Sequence, residues 1–290
     1  MSKPPVAILG LGIMGSGMAR RLLSSNFPLA VYNRNREKAL PLGDAGAFVA
    51  ATPKEAASRA QIILSMVADD DASREVWTGD WGALSGAVPG SALIESSTLS
   101  VDWVKRLAGK AAERGCQFLD APVTGTKPHA ASGELVFLVG GSVEGVNAAR
   151  PVFSVLGRDM IHLGPIGSGA LMKLINNFLC GVQAASFAEA LSLVDAGGLD
   201  RSKVLSILTA GAPGSLILKR MAEKIEANDF APVFALRWMA KDISYAIRCA
   251  SEMELTLPTA SAALTDFQHA IAQGHGDEDF AAIARTPGPS

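Results

Sequence analysis

A chain of 290 residues, 49% apolar and only 19% charged, has the length for two domains and the apolar content of a compact globule, which excludes a disordered chain. A formal net charge of −2 without any Lys/Arg-dense block points away from a nucleic-acid partner. No apolar run approaches the roughly 18 residues of a spanning helix, and Met1-Ser2-Lys3-Pro4-Pro5 carries no signal-peptide core, so no membrane association and a cytoplasmic location are expected. Cys116, Cys180 and Cys249 form no CxxC pair, and His129, His162, His269 and His275 show no ligand spacing, so neither a disulfide framework nor a metal site is expected.

From Pro5 to about Leu163 short apolar runs alternate with helix-like stretches. The runs are Val6–Leu9, Leu29–Tyr32, Phe48–Ala50, Ile62–Ser65, Ala92–Glu95, Phe118–Ala121 and Leu135–Val139; Met18–Ser24 and Pro53–Ala60 have helical spacing between them. Buried runs of this length between helices predict a parallel sheet covered on both faces, that is, a doubly wound nucleotide-binding fold over residues 1–164. After Gly164-Pro165 strand signals nearly vanish. Gly169 to about Ala196 predicts one long interdomain helix, followed by helices near Lys203–Leu208, Leu216–Glu226, Val233–Met253 and Thr259–Ala272. Residues 165–290 therefore predict an all-helical domain with a frayed tail from Thr286 to Ser290. Its apolar periodicity exceeds what one such domain buries internally, which predicts a homodimer or homotetramer.

Between the first strand and its helix lies Gly10-Leu11-Gly12-Ile13-Met14-Gly15. Gly10 permits the tight turn, Gly12 admits a pyrophosphate to the backbone, and Gly15 lets the helix pack closely; the phosphates then meet free N–H groups at a helix N-terminus. The second strand ends at Asn33-Arg34. An NAD site usually carries Asp or Glu there for the ribose 2′-hydroxyl, whereas a guanidinium offers forked hydrogen bonds to a 2′-phosphate, so NADP is expected over NAD. Later strand ends carry Ser65-Met66-Val67, Ser96-Ser97-Thr98 and Asp120-Ala121-Pro122-Val123-Thr124-Gly125. Ligands of open α/β sheets bind outside the carboxyl ends of strands, so these segments predict one cleft whose hydroxyls and N–H groups can contact nicotinamide, ribose and a substrate carboxylate, with Met66 and Val67 on the cofactor side.

Helical spacing sets Gly169, Lys173, Asn177 and Gly181 in one stripe, an ammonium beside a carboxamide with glycines that would let a ligand approach. A lone lysine on a helix is more often merely solvated, and spacing alone does not decide between that and catalysis.

Over nearly its whole length the chain resembles the β-hydroxyacid dehydrogenase family, which includes 3-hydroxyisobutyrate dehydrogenase and tartronate semialdehyde reductase. The resemblance rests on Gly10–Gly15 with its Met14, Ser97-Thr98, Asp120–Gly125, Gly167–Asn177 and Lys241-Asp242, in that order. It implies that Lys173 is the catalytic acid/base, that Asn177 orients the substrate, that Thr124 and Gly125 hold its carboxylate, and that Thr98 and Lys241 contact the cofactor. Where the family commonly has Ser-Gly-Gly, this chain has Thr124-Gly125-Thr126-Lys127-Pro128, which looks more like the NADPH-using glyoxylate and succinic semialdehyde reductases; His129-Ala130-Ala131-Ser132 departs from that branch too. The expected function is hydride transfer between NADP(H) and a small aldehyde acid or hydroxy acid. An NAD-dependent 3-hydroxyisobutyrate or tartronate semialdehyde dehydrogenase is the neighbouring reading, and an NADPH-binding sensor or scaffold the non-enzymatic one.

Overall fold

The computed structural model describes residues 3–286, so the expected fraying at Thr286–Ser290 falls, beyond Thr286 itself, outside the described residues. The chain divides into two compact units, one ending at Lys173 and one beginning at Leu174.

The first unit is built on a sheet whose strands are β1 (Val6–Leu9), β2 (Leu29–Tyr32), β3 (Phe48–Val49), β4 (Ile62–Ser65), β5 (Ala92–Glu95), β6 (Gln117–Asp120), β7 (Val123–Thr124), β8 (Leu135–Gly141) and β9 (Gly157–Gly164). Six of them lie in the order β3-β2-β1-β4-β5-β6, all parallel. That is the doubly wound order, and it puts the carboxyl ends of β1 and β4, on either side of the order reversal, next to each other. Interleaved are α1 (Ile13–Ser24), α2 (Leu40–Asp44), α3 (Pro53–Ala57), α4 (Asp70–Trp77), α5 (Val101–Glu113), α6 (Lys127–Ser132) and α7 (Val143–Leu156). β1, β4 and β5 are buried at every position because helices cover both sheet faces. Val6, Ile8, Leu64 and Ile94 join Met18 and Leu22 of α1 and Val152 and Phe153 of α7 in one core cluster.

Beyond β6 the expected all-parallel sheet gives way to a mixed one. β8 runs antiparallel to both β6 and β7, and β9 then pairs parallel with β8. The reversal follows from the short excursion Ala121–Glu134: it holds only two strand residues and a six-residue helix, too little for the crossover that a parallel neighbour needs. β9 itself was not anticipated. Its sequence, Gly-Arg-Asp-Met-Ile-His-Leu-Gly, is half-buried to exposed throughout, as suits a strand with a single partner.

The second unit follows from α8 (Ser168–Ala196), which begins in the first, and contains α9 (Arg201–Ala210), α10 (Leu216–Glu226), α11 (Leu236–Glu252) and α12 (Pro258–Ala270). Leu191, Leu205, Met221, Met239, Ile243 and Phe267 form its core. α8 is long and apolar enough on average to cross a membrane, yet Ala184, Ala185, Phe187, Ala188 and Leu191 bury one side of it against that core. It is a core helix.

Candidate functional site

The Gly-rich turn behaves as its spacing predicts. Gly10 has φ +97°, and a Cβ there would run into the Met66 carbonyl; a Cβ on Gly15 would run into the Gly10 carbonyl. Gly12 is different: nothing lies within 4 Å of where its Cβ would be. No side chain caps α1 at Gly12, and its first turn carries no acidic residue. Ile13 is 51% exposed and Met14 half-buried. Uncapped N–H groups, a positive helix end and an open approach over Gly12 are what a pyrophosphate needs.

Asn33 does more than end β2. Its Oδ1 accepts the Leu11 N–H at 2.8 Å, and its Nδ2 donates to the Asn35 carbonyl at 2.8 Å. The carboxamide is thus a brace for the Gly-rich turn. Arg34 is exposed, its guanidinium 3.6 Å from the Glu75 carboxylate of α4, a solvated pair worth little and easily exchanged for another anion.

At the end of β4, Met66 and Val67 are half-buried, and Met66 continues the parallel ladder by donating to the Leu9 carbonyl. Thr98 follows β5 and is half-buried too. β5 and β6 end in register on two carboxylates, Glu95 opposite Asp120, both completely buried. Thr124 closes β7, and Gly125 after it takes φ +129°, against the side chains of Leu135 and His129. His129 Nδ1 accepts from the Thr126 N–H at 3.1 Å and lies 2.8 Å from its hydroxyl, so this residue, foreign to the related branch, braces the loop that holds Thr124 and Gly125.

Lys173 is half-buried in the second turn of α8. The start of that helix is fastened to the sheet by Asp120, whose two oxygens accept the N–H groups of Gly167 and Ala170 at 2.8 Å each. Space for the carboxylate exists because Gly140 and Gly169 lack side chains. Burial pushes the Asp120 carboxyl up to about 6, against the opposing pull of those N–H donors. The sequence marks Asp120 only as the first residue of the strand-end segment Asp120–Gly125 and gives it no task of its own.

In the second unit Asn177 is 6% exposed and donates to Asp242 Oδ2 at 2.6 Å, while its Oδ1 accepts from Asn176 at 2.9 Å. Asp242 is itself buried, and Lys241 Nζ stands 3.0 Å from its other oxygen, at ion-pair distance without hydrogen-bond alignment. Lys241 also lies 5.0 Å from the centre of the Tyr245 ring. The two glycines of the α8 stripe do not open it to a ligand as expected. A Cβ on Gly169 would meet the Leu138 carbonyl, and one on Gly181 would sit 2.5 Å from Ile243 Cδ1, so both glycines serve packing.

Known proteins resemble this chain over nearly its whole length. Residues 5–164 match the family model described as the NAD binding domain of 6-phosphogluconate dehydrogenase, and residues 167–286 the one described as NAD-binding of NADP-dependent 3-hydroxyisobutyrate dehydrogenase. The chain is 33% identical over 278 residues to glyoxylate/succinic semialdehyde reductase 1 of Arabidopsis thaliana, covering 96% of each. It is 32% identical over 292 residues to an NAD-dependent L-serine dehydrogenase of Pseudomonas aeruginosa, covering 98% of each. Among solved structures it resembles a 3-hydroxyisobutyrate dehydrogenase from Salmonella typhimurium, with TM-score 0.88 and 29% identity over 98% of this chain and 99% of that one.

Proposed function

The chain belongs to the β-hydroxyacid dehydrogenase family of nicotinamide-dependent oxidoreductases, and from that membership we propose that it reduces a small aldehyde acid with NADPH, using Lys173 as general acid/base. The observation that carries the reading is Lys173 at the start of a helix pinned to the β6 end by Asp120. Helix, Gly-rich turn and the Thr124-Gly125 loop share one compact unit up to that lysine.

Bound at the Gly10–Gly15 turn, the dinucleotide supplies or accepts hydride at its nicotinamide ring. The protein's own task is to hold a carbonyl carbon still and manage one proton. Lys173 as ammonium stabilises negative charge growing on the substrate oxygen and donates the proton; for oxidation the same amine must first be neutral. The Thr124 hydroxyl and Gly125 N–H receive the substrate carboxylate. Asn177, its amide fixed by Asn176 and Asp242, retains one N–H and one lone pair for orienting the substrate. Ile13, Met14, Met66, Val67, Thr98 and Lys241 complete the cofactor contacts.

NADP preference is supported by Asn33 and Arg34: β2 is followed by a neutral carboxamide where an NAD site usually has Asp or Glu, and the exposed Arg34 guanidinium, weakly paired with Glu75, can exchange that partner for a 2′-phosphate. The relative named as an NAD-dependent L-serine dehydrogenase keeps an NAD-using hydroxy-acid dehydrogenase in view as the second reading. Assembly into a homo-oligomer is supported by Leu193, Leu199, Ile207 and Leu216 of the helical unit, each at least 60% exposed.

The test is a panel of glyoxylate, succinic semialdehyde, tartronate semialdehyde and methylmalonate semialdehyde with NADPH and with NADH, followed at the reduced-nicotinamide absorbance. Turnover with NADPH well above NADH supports the reading. NADH preferred throughout overturns the cofactor assignment, and no turnover of any aldehyde acid despite dinucleotide binding leaves a sensor or scaffold.

A further inference from the structure

Among the residues given no task so far, Glu95 stands out by what it costs. A carboxylate taken wholly out of water carries a penalty of several kcal/mol, and an apolar side chain of similar volume would fill the end of β5 without it. Burial pushes this carboxyl up, and four hydrogen bonds oppose the shift. Every neighbour that touches it donates. Ser73 Oγ and Trp77 Nε1 of α4 each donate to Oε2 at 2.7 Å, and the Ser97 N–H donates to Oε1 at 3.0 Å. The Ser97 hydroxyl hydrogen-bonds the same carboxylate, and it also accepts the Val67 N–H at 2.7 Å. Behind this shell, Trp103 Nε1 of α5 donates to Ser73 Oγ at 2.9 Å. A site made only of donors is shaped for an ionised acceptor.

The network has a direction. α4 and α5 form its rigid side, through Ser73, Trp77 and Trp103. Its other side is backbone, Val67 after β4 and Ser97 before Thr98, the two segments proposed above to flank the cofactor. We infer that Glu95 is a positioning residue: through Ser97 it locks the β4 and β5 loops in the spacing at which the nicotinamide end of the dinucleotide binds. Glu95 touches no ligand; it sets where Val67 and Thr98 stand. The inference rests on the proposed reading for the cofactor's place, but not on any choice of substrate.

Two variants separate this from a purely structural role. Ser97→Ala removes the acceptor of the Val67 N–H and leaves Ser73 and Trp77 on the carboxylate. Glu95→Gln keeps the shape but turns an amide NH2 toward groups that are themselves donors. NADPH affinity is measured by fluorescence titration, beside the melting temperature of the cofactor-free protein and kcat at saturating NADPH. Ser97→Ala is expected to weaken NADPH binding about tenfold and to lower kcat at saturating NADPH, since both read the placement of the nicotinamide end, whereas a loss of stability alone would lower only the melting temperature; Glu95→Gln is expected to weaken binding further. Wild-type NADPH affinity in Ser97→Ala, with or without a lower melting temperature, overturns the inference, and Ser97→Ala decides alone if Glu95→Gln does not fold. The proposed function fails in a different way: wild type that binds NADPH but turns over no aldehyde acid refutes that reading and leaves this measurement intact.

Discussion

Two rows of glycines in this molecule look alike in sequence and differ in what fills the room they leave. In the turn Gly10–Gly15, the space over Gly12 is empty of protein, while Gly10 and Gly15 are crowded by backbone. On α8, the corresponding space is already occupied: Gly169 lies on the β8 backbone and Gly181 under Ile243. Spacing shows that a side chain is unwelcome. Whether a ligand or the protein itself is the reason depends on what the fold brings to that point.

The comparison can be tested from its strongest consequence downward. Lys173→Ala removes the proposed acid/base of the α8 row; turnover should fall by about a thousandfold or more while NADPH binding is retained, consistent with general acid catalysis worth about 100- to 10,000-fold plus lost charge stabilisation. Near-normal turnover would take lysine out of the mechanism. Gly12→Val fills space that is open in the protein, so stability should hold within about 0.5 kcal/mol, as at other uncrowded surface sites, while NADPH affinity falls at least about tenfold, or about 1.4 kcal/mol. Equal losses of both in calorimetric and binding titrations would show that Gly12 is a folding requirement instead. Gly181→Leu should do the converse, costing about 1–3 kcal/mol by overpacking against Ile243 and Met239 with the cofactor dissociation constant unchanged. Arg34→Ala should narrow the NADPH-over-NADH ratio about tenfold, the value of one lost charge-assisted contact of about 1.4 kcal/mol; an unaltered ratio would move phosphate recognition elsewhere.

The smallest effect concerns pH. Asp120 titrates near 6 in the folded protein, above its ordinary carboxyl value of 3.8. The native state therefore takes up this proton before the unfolded chain does as pH falls, and wild-type stability gains over Asp120→Asn between about pH 7 and pH 4. Urea melts of the pair at several pH values should show the gap moving in that direction, and a gap moving oppositely would mean that the two N–H donors outweigh burial.

The same contrast explains what could be read beforehand. β1, β2, β4 and β5 were legible to the residue as short apolar runs, because both their faces are buried and the hydrophobic effect writes itself into every position. β9 was not, since a strand paired on one side and largely solvated carries Arg158, Asp159 and His162 without penalty. The Gly-rich turn was legible because its demands are local. Glu95 was not, and Asp120, Asn177 and Asp242 were named without their partners, because a buried polar group is defined by donors that arrive from distant segments, here up to 65 positions away. His129 was given no task by the sequence, neither as a metal ligand nor within the segment that departs from the related branch; its bond to Thr126 supplies one.

Asn33 carries one further implication. Its carbonyl oxygen holds the Leu11 amide, a duty that a carboxylate oxygen performs equally well. Aspartate is the same size, so exchanging NH2 for O would cost the turn the link to Asn35 and would bring a negative charge to the rim proposed for a 2′-phosphate. On that proposal a change of nicotinamide preference would leave the brace on Leu11 in place. That suits a family in which a protein 32% identical to this chain is named NAD-dependent, while the family model matching residues 167–286 is described as NADP-dependent.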